Sequence, residues 1–169
     1  MSEIFTSDIR IRAAREGDIC DILNMVRELA EFERLLDQVV ATEEDYRKSL
    51  FGENSAAEAL VAESEDGLIG YAIFFSTFST FVGRAGIWLE DLYVRPAFRK
   101  KGIGKQLLKA VGRIAEERNA GRYEWSVLDW NEPALKVYRL LGAKPMKDWT
   151  VQRLAGDHLQ KLARSFKSN

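Results

Sequence analysis

Between Ile87 and Ala115 the hydrophobic period changes from that of a strand to that of a helix, across a basic turn that holds two glycines. The run Ile87 to Val94 is rich in strand formers, and Pro96 after Arg95 biases the backbone away from helix. Ile103, Leu107, Leu108, Val111, Ile114 and Ala115 then share one helical face that ends near Asn119-Ala120-Gly121. The connecting segment is Arg99-Lys100-Lys101-Gly102-Ile103-Gly104-Lys105. Glycine lets a backbone approach a ligand closely, and the N–H groups of a helix's first turn favour an anion. A phosphate is the natural guest of such a turn.

The rest of the chain supplies further elements around this unit. Ile9 to Ala13 alternates apolar and basic residues and predicts a short edge strand, and Gly17-Asp18 is placed to cap a helix with Ile19, Ile22, Leu23, Val26, Leu29 and Ala30 on one face. Thr42 with Asp45 predicts a capping box for a second helix ending near Phe51-Gly52. Ala59 to Glu63 and Ile69 to Phe78, around Glu65-Asp66-Gly67, predict a hairpin. Tyr123 to Leu128 reads as a strand, Asn131-Glu132-Pro133 as a helix start, Gly142 as its stop, and Trp149 to Leu154 as a last strand before a tail rich in Lys and Arg. The order predicts an α/β (α+β) fold.

Composition narrows the function. The 169 residues suit one domain, 1–169, without repeats or a linker. With 25 Lys and Arg against 26 Asp and Glu, no surface-wide basic character points to nucleic acid. No apolar run reaches membrane-spanning length and the N-terminus lacks a secretory pattern, so a cytoplasmic protein is expected. The lone Cys20 and lone His158 leave neither a disulfide framework, a metal-ligand spacing nor a nucleophile relay. No metal is expected.

Two familiar phosphate loops fail on this turn. Gln106 stands where the Walker A pattern needs Ser or Thr, and Leu107 where the dinucleotide fingerprint needs Gly or Ala. Arg99-x-x-Gly102-x-Gly104 instead resembles the pyrophosphate signature of the GNAT acetyltransferase superfamily. Asp129-Trp130-Asn131-Glu132-Pro133-Ala134-Leu135-Lys136-Val137-Tyr138 with Leu141-Gly142-Ala143 resembles the spermidine/spermine N1-acetyltransferase group, as do Glu28 to Glu33, Phe51-Gly52-Glu53 and Leu89-Glu90-Asp91. The chain departs from that group in having Lys100-Lys101-Gly102 for Gly-Phe-Gly, Phe32 for a tyrosine, and its own Trp125 and Ser126.

The resemblance implies a central mixed, mostly antiparallel sheet of about six to seven strands flanked by helices, acetyl-coenzyme A as co-substrate, and a homodimer. It implies a donor site from Leu92, Tyr93, Val94, the Arg99 to Lys105 turn, Asn131, Pro133, Ala134 and Tyr138. A bulge near Leu92 to Val94 would free backbone donors for the thioester or pantetheine, as in the family. Phe32, Glu33, Glu90, Glu124, Trp125 and Ser126 would face the acceptor. Tyr138 would be the general acid for the leaving thiolate, and Glu90 would take the amine's proton, through water. Strand alternation sends one of Glu90 and Asp91 outward, and Asp91 is the expected one. The expected acceptor is a small diamine or polyamine-like cation. The alternatives are a lysine-like amino acid such as thialysine or a protein lysine, and, in another class, a module that binds acyl-coenzyme A without catalysis.

Overall fold

The computed structural model describes residues 4–6 and 9–166. These fall into two compact units, residues 1–128 and residues 129–169.

The first unit is built on a six-stranded sheet in sequential order. Its strands are β1 (Ile4–Thr6), β2 (Ile9–Ala13), β3 (Glu58–Ser64), β4 (Gly67–Ser79), β5 (Arg84–Val94) and β6 (Tyr123–Trp125). Every pairing is antiparallel except β5 with β6. The expected edge strand Ile9–Ala13 is therefore covered on both sides, because Ile4–Thr6 adds itself outside it.

Alternation along β4 and β5 sends Tyr71, Ile73, Asp91 and Tyr93 to one face and Leu92 and Val94 to the other. On the first face, α1 (Ile19–Phe32) buries Ile22 and Met25 against Val61, Tyr71 and Tyr93, with Tyr46 of α2 (Glu43–Phe51) packed alongside. The second face lies under α3 (Ile103–Glu117), whose Ile103, Leu107, Val111 and Ile114 are buried. Each such side chain contributes roughly 1.5–3 kcal/mol when removed from water. The apolar stripe expected for α1 lacks Met25, which is wholly buried.

Helix starts follow local chemistry. The expected capping box holds α2: Asp45 N–H donates to Thr42 Oγ1, and Thr42 N–H donates back to Asp45 Oδ2. The expected cap of α1 does not form. Asp18 instead accepts from Arg12 at 2.6 and 3.0 Å, and Arg12 also donates to Glu63 at 2.9 and 3.0 Å. A buried guanidinium with two carboxylates in reach outcompetes a neutral cap for Asp18.

The second unit holds α4 (Glu132–Leu140) and α5 (Gly156–Ser165). The predicted strand Trp149 to Leu154 is not one: residues 143–155 form neither helix nor strand. Its alternation is real, but a strand needs a partner edge, and the described residues of this unit contain no other strand. The tail beyond it holds a helix not expected from the sequence, although Leu159 and Leu162 have helical spacing and Asp157 and Arg164 suit its two ends.

Candidate active site

The open edge of β5 comes first. β6 pairs with β5 only from Ile87 to Leu89, so the predicted strand Tyr123 to Leu128 stops at Trp125. Among the described strands none pairs with that edge beyond Leu89. Arg95 N–H donates to Ile69 across the β4 side, so alternation turns the backbone groups of Leu92 and Val94 away from β4, toward the open edge. The donors expected near Leu92 to Val94 are thus exposed by the end of β6, not by a bulge there. The bulge lies upstream: Ile73 pairs with Asp91 and Phe74 with Leu89, leaving Glu90 as the extra residue.

That bulge keeps both carboxylates on the α1 side of the strand, where alternation would send one to each face. Glu90 is exposed and accepts a hydrogen bond from Trp88 Nε1 at 2.9 Å. Asp91 is half-buried on the α1 face, and its carboxyl is pushed up to about 6, first by burial and then by the charges of Glu90 and Glu33. Glu33, at the end of α1, is itself raised by burial. The hydroxyl of Tyr71 is buried with no hydrogen-bond partner among the described residues, and Asp91 and Glu33 both act on it electrostatically. Asp91 is the residue that sequence reasoning undervalues. Only the register shift, which alternation cannot reveal, would have found it.

The basic turn lies beyond Val94. A single 3₁₀ turn at Pro96–Phe98 leads into it, and Lys100 and Gly102 both adopt left-handed backbone, at φ 62 and 82°. Gly102 is the N-cap of α3, so the first-turn amides of Ile103, Gly104 and Lys105 have no intrahelical partner. A Cβ on Gly104 would meet Leu92 and Val94 only at ordinary contact distance, so that position does not need glycine for folding. Arg99 Nε donates to Val94 O at 2.8 Å, and Lys101 Nζ lies 5.3 Å from the Phe98 ring centre. This cationic, amide-rich turn suits a pyrophosphate.

The remaining acceptor-side candidates divide. Phe32 lies against Arg99, its ring centre 5.4 Å from the guanidinium carbon. Glu124, paired across from Trp88, forms an ion pair with Arg122 at 2.6 Å. Trp125 packs against Tyr123 with ring centres 4.9 Å apart and ring planes tilted by 59°, and Ser126 is exposed just past the end of β6. The first unit thus gathers Glu33, Glu90 and Asp91, while Glu124 is engaged by its neighbour.

Within the second unit, Asn131 caps α4 by accepting from Ala134 N–H at 3.4 Å, and Pro133 lies in the first turn, where no N–H is needed. Tyr138 is half-buried on that helix, and burial raises its phenol above the ordinary value. Gly142 ends the segment with φ 84°.

The model of the acetyltransferase (GNAT) family matches residues 23–143. The chain belongs to that family. A thialysine N-epsilon-acetyltransferase of Sus scrofa is 39% identical over 168 residues, covering 93% of this chain and 98% of the relative. A human spermidine/spermine N(1)-acetyltransferase-like protein 1 is 30% identical, covering 91% of this chain and 24% of that longer protein. Among solved structures, an integron cassette protein from the mobile metagenome of V. cholerae has a TM-score of 0.78 at 27% identity, covering 95% of this chain and all of that one. The chain is therefore an N-acetyltransferase with the GNAT fold, its six described strands at the lower end of the expected number. Acetyl-coenzyme A is the co-substrate of this family. Among the described residues no cluster of His, Cys, Asp or Glu is arranged to hold a metal ion, and no helix is long and apolar enough to cross a membrane.

Proposed function

We propose that this acetyltransferase acts on the side-chain amine of a lysine-like amino acid. The carrying observation is the gathering of Asp91, Glu33 and Glu90 at the end of α1, where the charges of the other two carboxylates act on Asp91 and Asp91 forms no ion pair among the described residues. Such a group favours a cation, and an ammonium supplies one. The likeness to a thialysine acetyltransferase supports the lysine-like class over the polyamine class, which has the support of the human relative.

In this reading the Arg99 to Lys105 turn binds the pyrophosphate, and the open edge at Leu92 and Val94 receives the pantetheine and polarises the thioester carbonyl. An alkylammonium has a pKa near 10.4 and must lose a proton before it attacks. A carboxylate, Glu90 through water, accepts that proton before the C–N bond forms. As the C–S bond then breaks, Tyr138, kept protonated by its raised pKa, donates to the thiolate, and the second proton that the nitrogen sheds on becoming an amide restores the phenol. Transfer is direct, without an acetyl-enzyme. One acetyltransferase domain, working as a homodimer, completes the proposal.

A thiol-release assay with acetyl-coenzyme A and a panel of thialysine, lysine, ornithine, spermidine and neutral monoamines tests it. The amino acids are expected to give the highest kcat/KM. Turnover of spermidine alone would move the acceptor to the polyamine class, and turnover of neutral amines alone would remove the acidic site from the mechanism.

A further inference from the structure

Arg99 reaches back across the sheet edge to the end of α1. Its guanidinium carbon lies 5.4 Å from the Phe32 ring centre and 5.3 Å from that of Tyr93, and its Nε donates to Val94 O at 2.8 Å. Tyr93 is itself fixed: it is buried, and its hydroxyl donates to Glu28 Oε2 at 3.1 Å. Glu28 in turn accepts from Arg95 Nε at 3.2 Å, and Arg95 donates to Leu68 O at 2.9 Å. A guanidinium presents its cation to aromatic faces through its plane and its hydrogen bonds through its rim, so two rings and one carbonyl fix both its position and its tilt.

We infer that Phe32 is a positioning residue of the donor site, acting through Arg99, and that Glu28 and Tyr93 brace the other side of the same clamp. This rests on the reading of the Arg99 to Lys105 turn as the pyrophosphate site. A long arginine side chain loses rotamer freedom when it is fixed on a ligand. The clamp bears part of that loss before the donor arrives. Phe32 is 43% exposed, so its ring is not a core side chain, and its neighbour Glu33 belongs to the acidic acceptor group. One short stretch at the end of α1 therefore serves both substrates. Loss of the Phe32 ring should raise the KM for acetyl-coenzyme A, because Arg99 then loses one of the two rings that hold it.

The test uses the full chain and two donors, acetyl-coenzyme A and acetyl-pantetheine, the second without pyrophosphate or nucleotide. Calorimetry on Phe32→Leu should give a roughly two- to fivefold weaker Kd for acetyl-coenzyme A, the range of one exposed cation–π contact, and an unchanged Kd for acetyl-pantetheine. Phe32→Tyr, which keeps the ring, should restore the wild-type value. Unchanged affinity for acetyl-coenzyme A in Phe32→Leu would overturn the inference alone, as would equal weakening of both donors, which marks a general distortion. Wild-type protein that binds acetyl-pantetheine and acetyl-coenzyme A equally would overturn the placement of the pyrophosphate, and the inference with it.

Discussion

At the scale of single residues, Tyr138 carries the sharpest prediction. Burial raises its phenol above the ordinary value of 10, so it stays protonated through the working pH range, as a proton donor to a thiolate must. Tyr138→Phe removes only the hydroxyl and leaves the ring. The expected outcome is a kcat lower by roughly 10²-fold with the acetyl-coenzyme A dissociation constant unchanged, measured by stopped-flow turnover and calorimetry. Turnover at the wild-type rate would return Tyr138 to a packing role. The residues legible in the sequence are those whose spacing has one structural meaning, such as the Thr42 and Asp45 capping box and the glycines at 102 and 142. Alternation sends Asp91 to the face opposite Glu90, whereas the structure keeps the two together, for a physical reason. Its period is two, and one inserted residue inverts it.

At the scale of elements, the basic turn shows how far a motif reads without its usual residues. Lys100 stands where the spermidine/spermine group that the chain resembles has glycine, and it adopts φ 62° without glycine's freedom. Left-handed backbone costs an ordinary residue about 1–2 kcal/mol, partly offset by the entropy that glycine loses on folding. Lys100→Gly should therefore stabilise the protein by about 0.5–1 kcal/mol, seen in urea as a higher midpoint with the same slope. A lower midpoint would mean that the lysine stem contributes more by packing than its backbone costs. The hairpin, α2, α3 and α4 are legible because each has a cap or a turn that marks its bounds, and α1 is legible from its apolar period alone. The absence of a strand at Trp149 to Leu154 and the helix at Gly156–Ser165 are not. Strand formation depends on a partner edge that periodicity cannot supply, and a charged tail masks the short stripe of Leu159 and Leu162.

For the molecule as a whole, stability should pass through a maximum on the acid side of neutrality, because two groups of carboxylates act with opposite sign. Asp18 would be raised by its burial, but hydrogen bonds from Arg12 and from the Arg15 backbone outweigh that and hold it below its ordinary 3.8. Glu63 is held below 4.5 chiefly by its hydrogen bonds from Arg12. Both therefore add stability that is present above those ordinary values and is lost as the pH falls through their lower folded ones. Asp91 runs the other way. Its folded value of about 6 lies above its ordinary 3.8, so the folded state binds the extra proton, and stability falls as the pH rises from about 4 through 6. The penalty at pH 7 is on the order of 2–3 kcal/mol, because each tenfold change in proton affinity is worth about 1.4 kcal/mol. Thermal unfolding followed by circular dichroism from about pH 3 to 8 should then show Tm highest near pH 5. It should fall steeply below about pH 4, as the Arg12 cluster loses its charge pairs, and more gently toward neutrality. Asp91→Asn should abolish the neutral limb and raise Tm at pH 7, while raising the KM for the amine. Arg12→Ala should cost about 3 kcal/mol at pH 7, since it strands Asp18 without its cation, and should flatten the acid limb instead. If Tm at pH 7 were the same in Asp91→Asn as in the wild type, Asp91 would not be a strained carboxylate. The acidic site would then hold its amine without the stability cost that marks a group set aside for binding.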